Sequence, residues 1–473
     1  MHPLIRSWQR REFLTHCGVG LGATTLASLL HAETPKRVDP LAPKKPPIEP
    51  RAKHIIYLHM IGAPSQLDLF DPKPQLKKND GRPCPEELLR GKRFAFLNSR
   101  SLLGASPYRF RRHGQSGQEF SELIPQIAKV ADDLCIIHSM KTDEINHAPG
   151  QMFLQTGFGR PGRPSLGSWL TFGLGSENQN LPAYVVLQSG VLAGAGAALW
   201  SSGFMPSVYQ GIQFRSHGDP VFFLSNPKGQ SAEDRRRVLD AVRDLNNLQF
   251  TETGDPEIES RIDQYELAFR MQTSVPELMD LSREKAETLK MYGAQPGGKA
   301  SFANNCLLAR RLVQRGVRVV ELYDADWDHH ADISGKLPHK CKQVDQASAA
   351  LIRDLKSLGL LDQTLVVWGG EFGRTPMRQG LDENGPVSKP GRDHQKDAFT
   401  IWLAGGGVKA GFNYGATDDF GLNVVEKPVH VHDLNATILR LLGLDHERLT
   451  YRYQGRDYRL TDVYGNVVTD ILS

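Results

Sequence analysis

The stretch NNCLLARRLVQRGVRVVELYDADWDHH, residues 304–330, decides the reading of this chain. Its first half, near Asn304 to Arg315, carries apolar residues at helical spacing, and Val317 to Tyr323 is a β-rich run of strand length. A second such pair follows, with a helix near Asp345 to Leu358 and a strand at Thr364 to Trp368. A further strand, Ala398 to Leu403, leads into Gly405-Gly406-Gly407, and Asp433 to Leu442 reads as a last helix capped by Gly443. Helices alternating with strands imply a largely parallel central sheet covered on both faces, a three-layer αβα sandwich. Ligands of such sheets collect at the carboxyl ends of the strands.

Upstream, His54 to Met60 reads as the first buried strand and Asp132 to His138 as another, the latter after a helical stretch near Phe120 to Val130. Residues 232–292 are charged and helically periodic, which predicts a helical insertion. The strand-end rule then gathers the polar residues on one rim. Ser65, Gln66, Asp68 and Asp71 follow the first strand, Asn146 and His147 the second, and Asp324 to His330 the strand at 317–323. Glu371 and Arg374 follow Thr364 to Trp368, while Arg392, Asp393 and His394 lie just before Ala398. Three aspartates and two histidines within Asp324 to His330 are costly to bury without partners. Carboxylate oxygen with neutral imidazole nitrogen suits zinc or manganese, whereas an oxygen-only shell suits calcium. The competing reading is an exposed acidic loop whose histidines cap the next helix.

The first residues carry a different message. Arg10-Arg11-Glu12-Phe13-Leu14 precedes an uncharged run from Cys17 to Leu30, too short to span ~30 Å of hydrocarbon. This is the pattern of a twin-arginine signal peptide over residues 1–32, with a Pro- and Lys-rich linker at 33–52 and one domain at 53–473. The expectation is export by the twin-arginine translocation machinery to the periplasm or beyond, with no transmembrane anchor. A net charge of +4 over 473 residues gives no case for nucleic acid, and Arg109, Arg111, Arg112 and His113 form the one local basic cluster. Cys84, Cys135, Cys306 and Cys341 show no CxxC spacing, which argues against a structural zinc site.

Taken together, several motifs resemble one family. These are Gly62-Ala63-Pro64-Ser65-Gln66-Leu67-Asp68, Asp326-Trp327-Asp328-His329-His330, Gly370-Glu371-Phe372-Gly373-Arg374-Thr375-Pro376 and Gly391-Arg392-Asp393-His394. From about residue 54 to 445 the chain resembles the exported bacterial proteins of domain of unknown function 1501 (DUF1501), in the alkaline phosphatase and sulfatase superfamily. That resemblance implies an alkaline phosphatase-like fold and a divalent metal, whether zinc, manganese or calcium. It implies Asp326 and His330 as an Asp-x-x-x-His pair completed by His394, with Asp68 and Glu371 as candidates for a second metal. Glu371-Phe372 replaces the Asp-His of the superfamily there, so one histidine ligand is lost. His147-Ala148-Pro149-Gly150-Gln151 has the spacing of the sulfatase nucleophile motif with His147 in the cysteine's place, and histidine cannot become formylglycine.

The resemblance therefore implies an exported metal-dependent hydrolase of phosphate or sulfate esters with an altered nucleophile position. His147 stands as nucleophile, as metal ligand or as general acid/base. Arg374, Arg392 and Gln151 are the substrate-binding candidates, and the expected substrate is a small anionic ester or a sulfated or phosphorylated polymer. The alternative is a non-catalytic binding or structural protein on the same fold. Export is checked first: Arg10→Lys with Arg11→Lys is expected to keep the protein in the cytoplasm on cell fractionation, and undiminished export would refute the signal assignment.

Overall fold

The computed structural model describes residues 39–97, 101–191, 194–215, 220–221, 224–382 and 385–473. Leu41–Ser473 forms one unit and Met1–Pro40 another, so the signal segment at 1–32 lies outside the described residues. A nine-stranded sheet organises the larger unit. Its order from edge to edge is Phe412–Tyr414, Leu134–Lys141, Phe399–Ala404, Thr364–Gly369, His54–Met60, Val319–Asp324, Tyr184–Ser189 and Ile212–Phe214, with Val429–His430 beside Leu134–Lys141. Every pairing in it is parallel except those of Phe399–Ala404, which runs against both neighbours.

Burial follows from alternation along the strands. Ile56, Leu58 and Met60 face one layer with the helices Phe302–Gln314 and Ile333–Ser357. Ile55 and Tyr57 face the other, with His147–Thr156, Leu166–Leu174 and Val431–Leu441. The architecture is the three-layer αβα sandwich read from the sequence. Helices Ala232–Thr253 and Pro256–Met279 fill most of the insertion. Residues 44–52 lie against the domain: the amides of Lys44, Ile48, Arg51 and Ala52 bond the carbonyls of Leu174, Gly443, Leu441 and Leu441 at 2.8–3.1 Å.

Two expectations are corrected. No long helix occupies 120–130; the strand Gln118–Ser121 and a 3₁₀ turn at Ile127–Asp133 stand there, because Asp345 reaches across to bond the amides of Gln126 and Ile127. The helix expected near Asp345 begins at Ile333, one polar residue beyond the strand-end loop, and carries Pro338 in its second turn. The four cysteines are buried and unpaired.

One buried carboxylate sits inside the sheet itself. Glu321 pairs in register with Tyr57 and accepts hydrogen bonds from the hydroxyls of Tyr184 and Tyr323, both at 2.5 Å. Burial pushes its carboxyl up from 4.5 to about 7, and the two hydroxyl bonds only partly oppose this. The folded state thus holds the proton more tightly than the unfolded state. That stabilisation is complete below about pH 4.5 and is lost as pH rises through about 7, a difference on the order of 3 kcal/mol. Glu321→Gln, which mimics the protonated acid, is expected to match the wild type in thermal stability at pH 4.5 and to exceed it at pH 8. An equal difference at both pH values would overturn the assignment.

Candidate metal centre

The strand ends deliver the site. After His54–Met60 the chain turns through Gly62 and Ala63, both at positive φ, into the short helix Gln66–Leu69. Gly62 is required: a Cβ there would lie 2.6 Å from the amide nitrogen of Asp328. After Val319–Asp324 the chain forms no helix until Ile333, and Asp326 itself takes φ of 72°. Thr364–Gly369 leads into the ribbon Gly373–Asp382 and Gly385–Gln395, which carries Arg374 and His394. The reversed strand Phe399–Ala404 lets that ribbon return to the same rim. His147 is the first residue of the helix after Leu134–Lys141.

Four side chains converge at this rim: His147, Asp328, His330 and His394 offer one donor atom each, all within 4.8 Å of one another. The imidazoles share one arrangement. His147 Nδ1 lies 2.7 Å from Glu371 Oε1, His394 Nδ1 lies 2.7 Å from the carbonyl of Ile145, and His330 Nδ1 bonds Gln379 Oε1. Carbonyl and amide oxygens only accept, so Nδ1 of His330 and His394 carries the proton and Nε2 is left with its lone pair. The three Nε2 atoms then face Asp328, at 3.1 Å for His147, 2.8 Å for His330 and 3.5 Å for His394. Nε2 of His330 and of His394 lie 2.9 Å apart, two lone pairs in mutual repulsion unless a cation lies between them. The side chain of Asp328 is 40% exposed and that of His394 3%, so the group opens to solvent at its Asp328 end.

Around this group the charges are fixed. Partial burial would raise the Asp328 carboxyl, but the hydrogen bonds that His147, His330 and His394 give it when their Nε2 atoms carry protons, together with the Arg374 charge, hold it far below the usual range. Burial opposes a charged His147, yet Asp328 and Glu371 together lift it to about 9. Burial lowers His394. Glu371 is fully buried and accepts from the Gly62 amide at 3.0 Å and from Gln151 Nε2 at 3.2 Å, with His59 Nε2 at 3.5 Å. Phe372 packs beside His147 and His394, and Phe96 stands edge-on to His330 and His394 with 63% of its surface exposed.

The residues named from the sequence separate into groups. His147, His330 and His394 meet. Asp326 is exposed and outside the group, and Asp328 stands in its place. An Asp-x-x-x-His pair shares a face only on a helix; in a non-helical loop, residues two apart share a side, which is the spacing of Asp328 and His330. Asp68 is fully buried against Arg392, whose Nε and Nη2 bond its oxygens at 2.7 and 3.2 Å. Arg374 is 1% exposed and bonds Ala63 O at 3.0 Å, Arg392 O at 3.1 Å, Asp328 Oδ1 at 2.6 Å, and Gly62 O. Gln151 bridges Glu371 to the amide of Ala195. Asp328 lay within the Asp324 to His330 run without being singled out, and Gln379 and Phe96 had no signal in the sequence.

The donors fit a divalent ion of the zinc or manganese class: three oriented imidazoles, one carboxylate, and an oxygen behind each ring. Purified protein is expected to bind one such ion, measured by metal analysis and titration calorimetry. His330→Ala abolishes binding, Gln379→Ala weakens it about 10-fold through lost ring orientation, and Asp326→Asn leaves it unchanged. Loss of binding in the Asp326 variant would return that residue to the centre.

A family model described as protein of unknown function (DUF1501) matches residues 52–472. No curated protein matches the sequence. Among solved structures, Ps i-CgsB in complex with k-i-k-neocarrahexaose is similar at 12% identity and a TM-score of 0.36, over 84% of this chain and 73% of that one. The PsFucS1 sulfatase from Pseudoalteromonas sp. aligns at 13% identity and 0.33, over 84% and 69%. An alkaline phosphatase from the Antarctic bacterium TAB5 aligns at 9% identity and 0.33, over 84% and 99%.

Proposed function

The chain belongs to the DUF1501 family, and from that premise we propose that it is an exported, metal-dependent hydrolase of phosphate or sulfate esters. The observation that carries the proposal is the set of three imidazoles whose Nδ1 atoms are held by oxygens and whose Nε2 atoms turn toward Asp328. His147, Asp328, His330 and His394 would hold the ion, and the three nitrogen donors favour zinc or manganese over calcium. When bound, such an ion supplies positive charge against the negative charge that develops on the ester oxygens. Export by the twin-arginine route suits a domain that folds around its metal before it crosses the membrane.

The chain's own groups act on geometry. Glu371 fixes the ring of His147 by its Nδ1 atom, so His147 serves the metal group through Nε2 and stands where the superfamily keeps its nucleophile. Arg374 holds Asp328 by one oxygen. Arg374 and Arg392 are buried and already bonded to protein oxygens, so they shape the centre more than they reach for the ester's oxygens. The solvent-facing end at Asp328, with Phe96 beside it, is where an ester would enter.

The non-catalytic reading has one observation in its favour: four side-chain donors already complete a tetrahedral zinc shell, and a catalytic zinc keeps a position open. Manganese, with a larger shell, keeps room for water and ester. The metal-loaded mature protein is therefore assayed on aryl phosphates and aryl sulfates, with zinc and with manganese. Turnover is expected, is abolished by chelation or His330→Ala, and returns to the wild type on addition of the ion. Bound metal with no turnover on either ester would leave the structural role standing in its place.

A further inference from the structure

The basic run Arg109, Arg111, Arg112 and His113 has no part in the metal centre. The strand Phe110–His113 pairs antiparallel with Gln118–Ser121. Arg109 and Arg111 line a cleft of about 910 Å³ whose other walls carry Lys73, Lys77 and Arg378, with Arg392 also among its lining residues. One carboxylate, Asp80, stands in that lining, already bonded by Arg378 Nη2 at 2.6 Å and by the amide of Ala105 at 2.7 Å. Lys73 pairs with Asp71, Arg109 with Glu122 and Arg392 with Asp68. Among the described residues, Lys77 and Arg111 have no ion-pair partner. The cleft therefore carries an excess of cationic charge from different segments, together with the rings of Tyr108 and Phe110.

The cleft is separated from the metal group by one strand. Pro390, Gly391 and Arg392 line it. A Cβ on Gly391 would fall 2.1 Å from the carbonyl carbon of His330, so only glycine permits this contact. Pro390 is bridged to Ala331 on the same loop. A single sulfate or phosphate would leave most of the volume empty. A chain with several such groups engages the cleft's cations together, and the aromatic residues Tyr108 and Phe110 in the lining add apolar surface for sugar rings.

We propose that this cleft binds an anionic glycan, a sugar chain carrying sulfate or phosphate groups, beside the metal centre. Its service to catalysis rests on the hydrolase reading, whereas the binding itself does not. The test uses chelator-treated protein and fluorescent dextran sulfate, read by anisotropy, with uncharged dextran and linear polyphosphate of matched charge in parallel. Dextran sulfate is expected to bind with strong salt dependence, and dextran is expected not to bind. Lys77→Glu with Arg111→Glu weakens binding at least about 10-fold, while Lys285→Glu with Lys299→Glu, the same charge change at exposed sites outside the cleft, leaves it unaltered. Equal weakening in both double variants, or none in the first, overturns the proposal. Polyphosphate binding as tightly as dextran sulfate overturns the assignment to a glycan. His330→Ala is expected to retain dextran sulfate binding, and metal-loaded wild-type protein that binds dextran sulfate but turns over neither ester counts against the hydrolase reading alone.

Discussion

One buried guanidinium ties the functional rim together. Arg374 has almost no contact with solvent, and burial lowers its affinity for its proton, opposed by Asp328 and Glu371. A charge in that position is tolerated only when it is paired and well hydrogen-bonded. Its Nε and Nη atoms reach the carbonyls of Gly62 and Ala63 after the first strand, the carbonyl of Arg392 on the returning ribbon, and Asp328 after the neighbouring strand. Its backbone exchanges two hydrogen bonds with the side chain of Gln66, at 2.8 and 2.9 Å. Three segments far apart in sequence are thus fixed relative to one another, and Asp328 is held with one oxygen on Arg374 and both oxygens among the imidazoles. Arg374, which the sequence suggested for anion recognition, sets the position of Asp328, one of the candidate metal donors.

The second constraint is topological. In a fully parallel sheet the segment before a strand lies at the amino rim, away from ligands. Here Phe399–Ala404 runs antiparallel to both Thr364–Gly369 and Leu134–Lys141, so its beginning lies at their carboxyl ends. That reversal brings the ribbon at 373–395 back across the rim and delivers His394 beside His330. Glycine then decides how closely the parts approach. Gly62 admits the backbone of Asp328 and Gly391 admits that of His330, at separations no side chain would permit.

Much of this was legible in the residues. The strands His54–Met60 and Thr364–Gly369 stand almost where their apolar runs put them, because fully buried strands are written as uninterrupted β-branched and aromatic sequence. The strand-end rule put His147 and His330 on one rim, whereas His394, which precedes a strand, reaches that rim only through the reversal of Phe399–Ala404. The identity of the carboxylate was not legible. Choosing between Asp326 and Asp328 depends on whether the loop is helical, and that depends on the left-handed turn at Asp326 and on Arg374, more than forty residues away in sequence. The roles of Asp68 and Glu371 were hidden for a similar reason. A carboxylate near a metal group is a ligand or a partner according to what else reaches it, and Arg392 and His147 reach these two first.

The same competition for partners explains why the basic residues of this chain divide so sharply. Arg374, Arg392 and Arg318 are buried and bonded to carbonyls and carboxylates, so they act on the fold and are poorly placed to meet an incoming anion. Lys77 and Arg111 sit at the surface with no carboxylate in ion-pair range among the described residues, and such groups can meet a ligand. Charge available for recognition is therefore a matter of which cations remain after the fold has taken its share. By that measure the centre at His330 is rich in donors for a cation and poor in donors for an anion, while the neighbouring cleft is the reverse. The polyanionic chain proposed for the cleft is a chemistry that would use both.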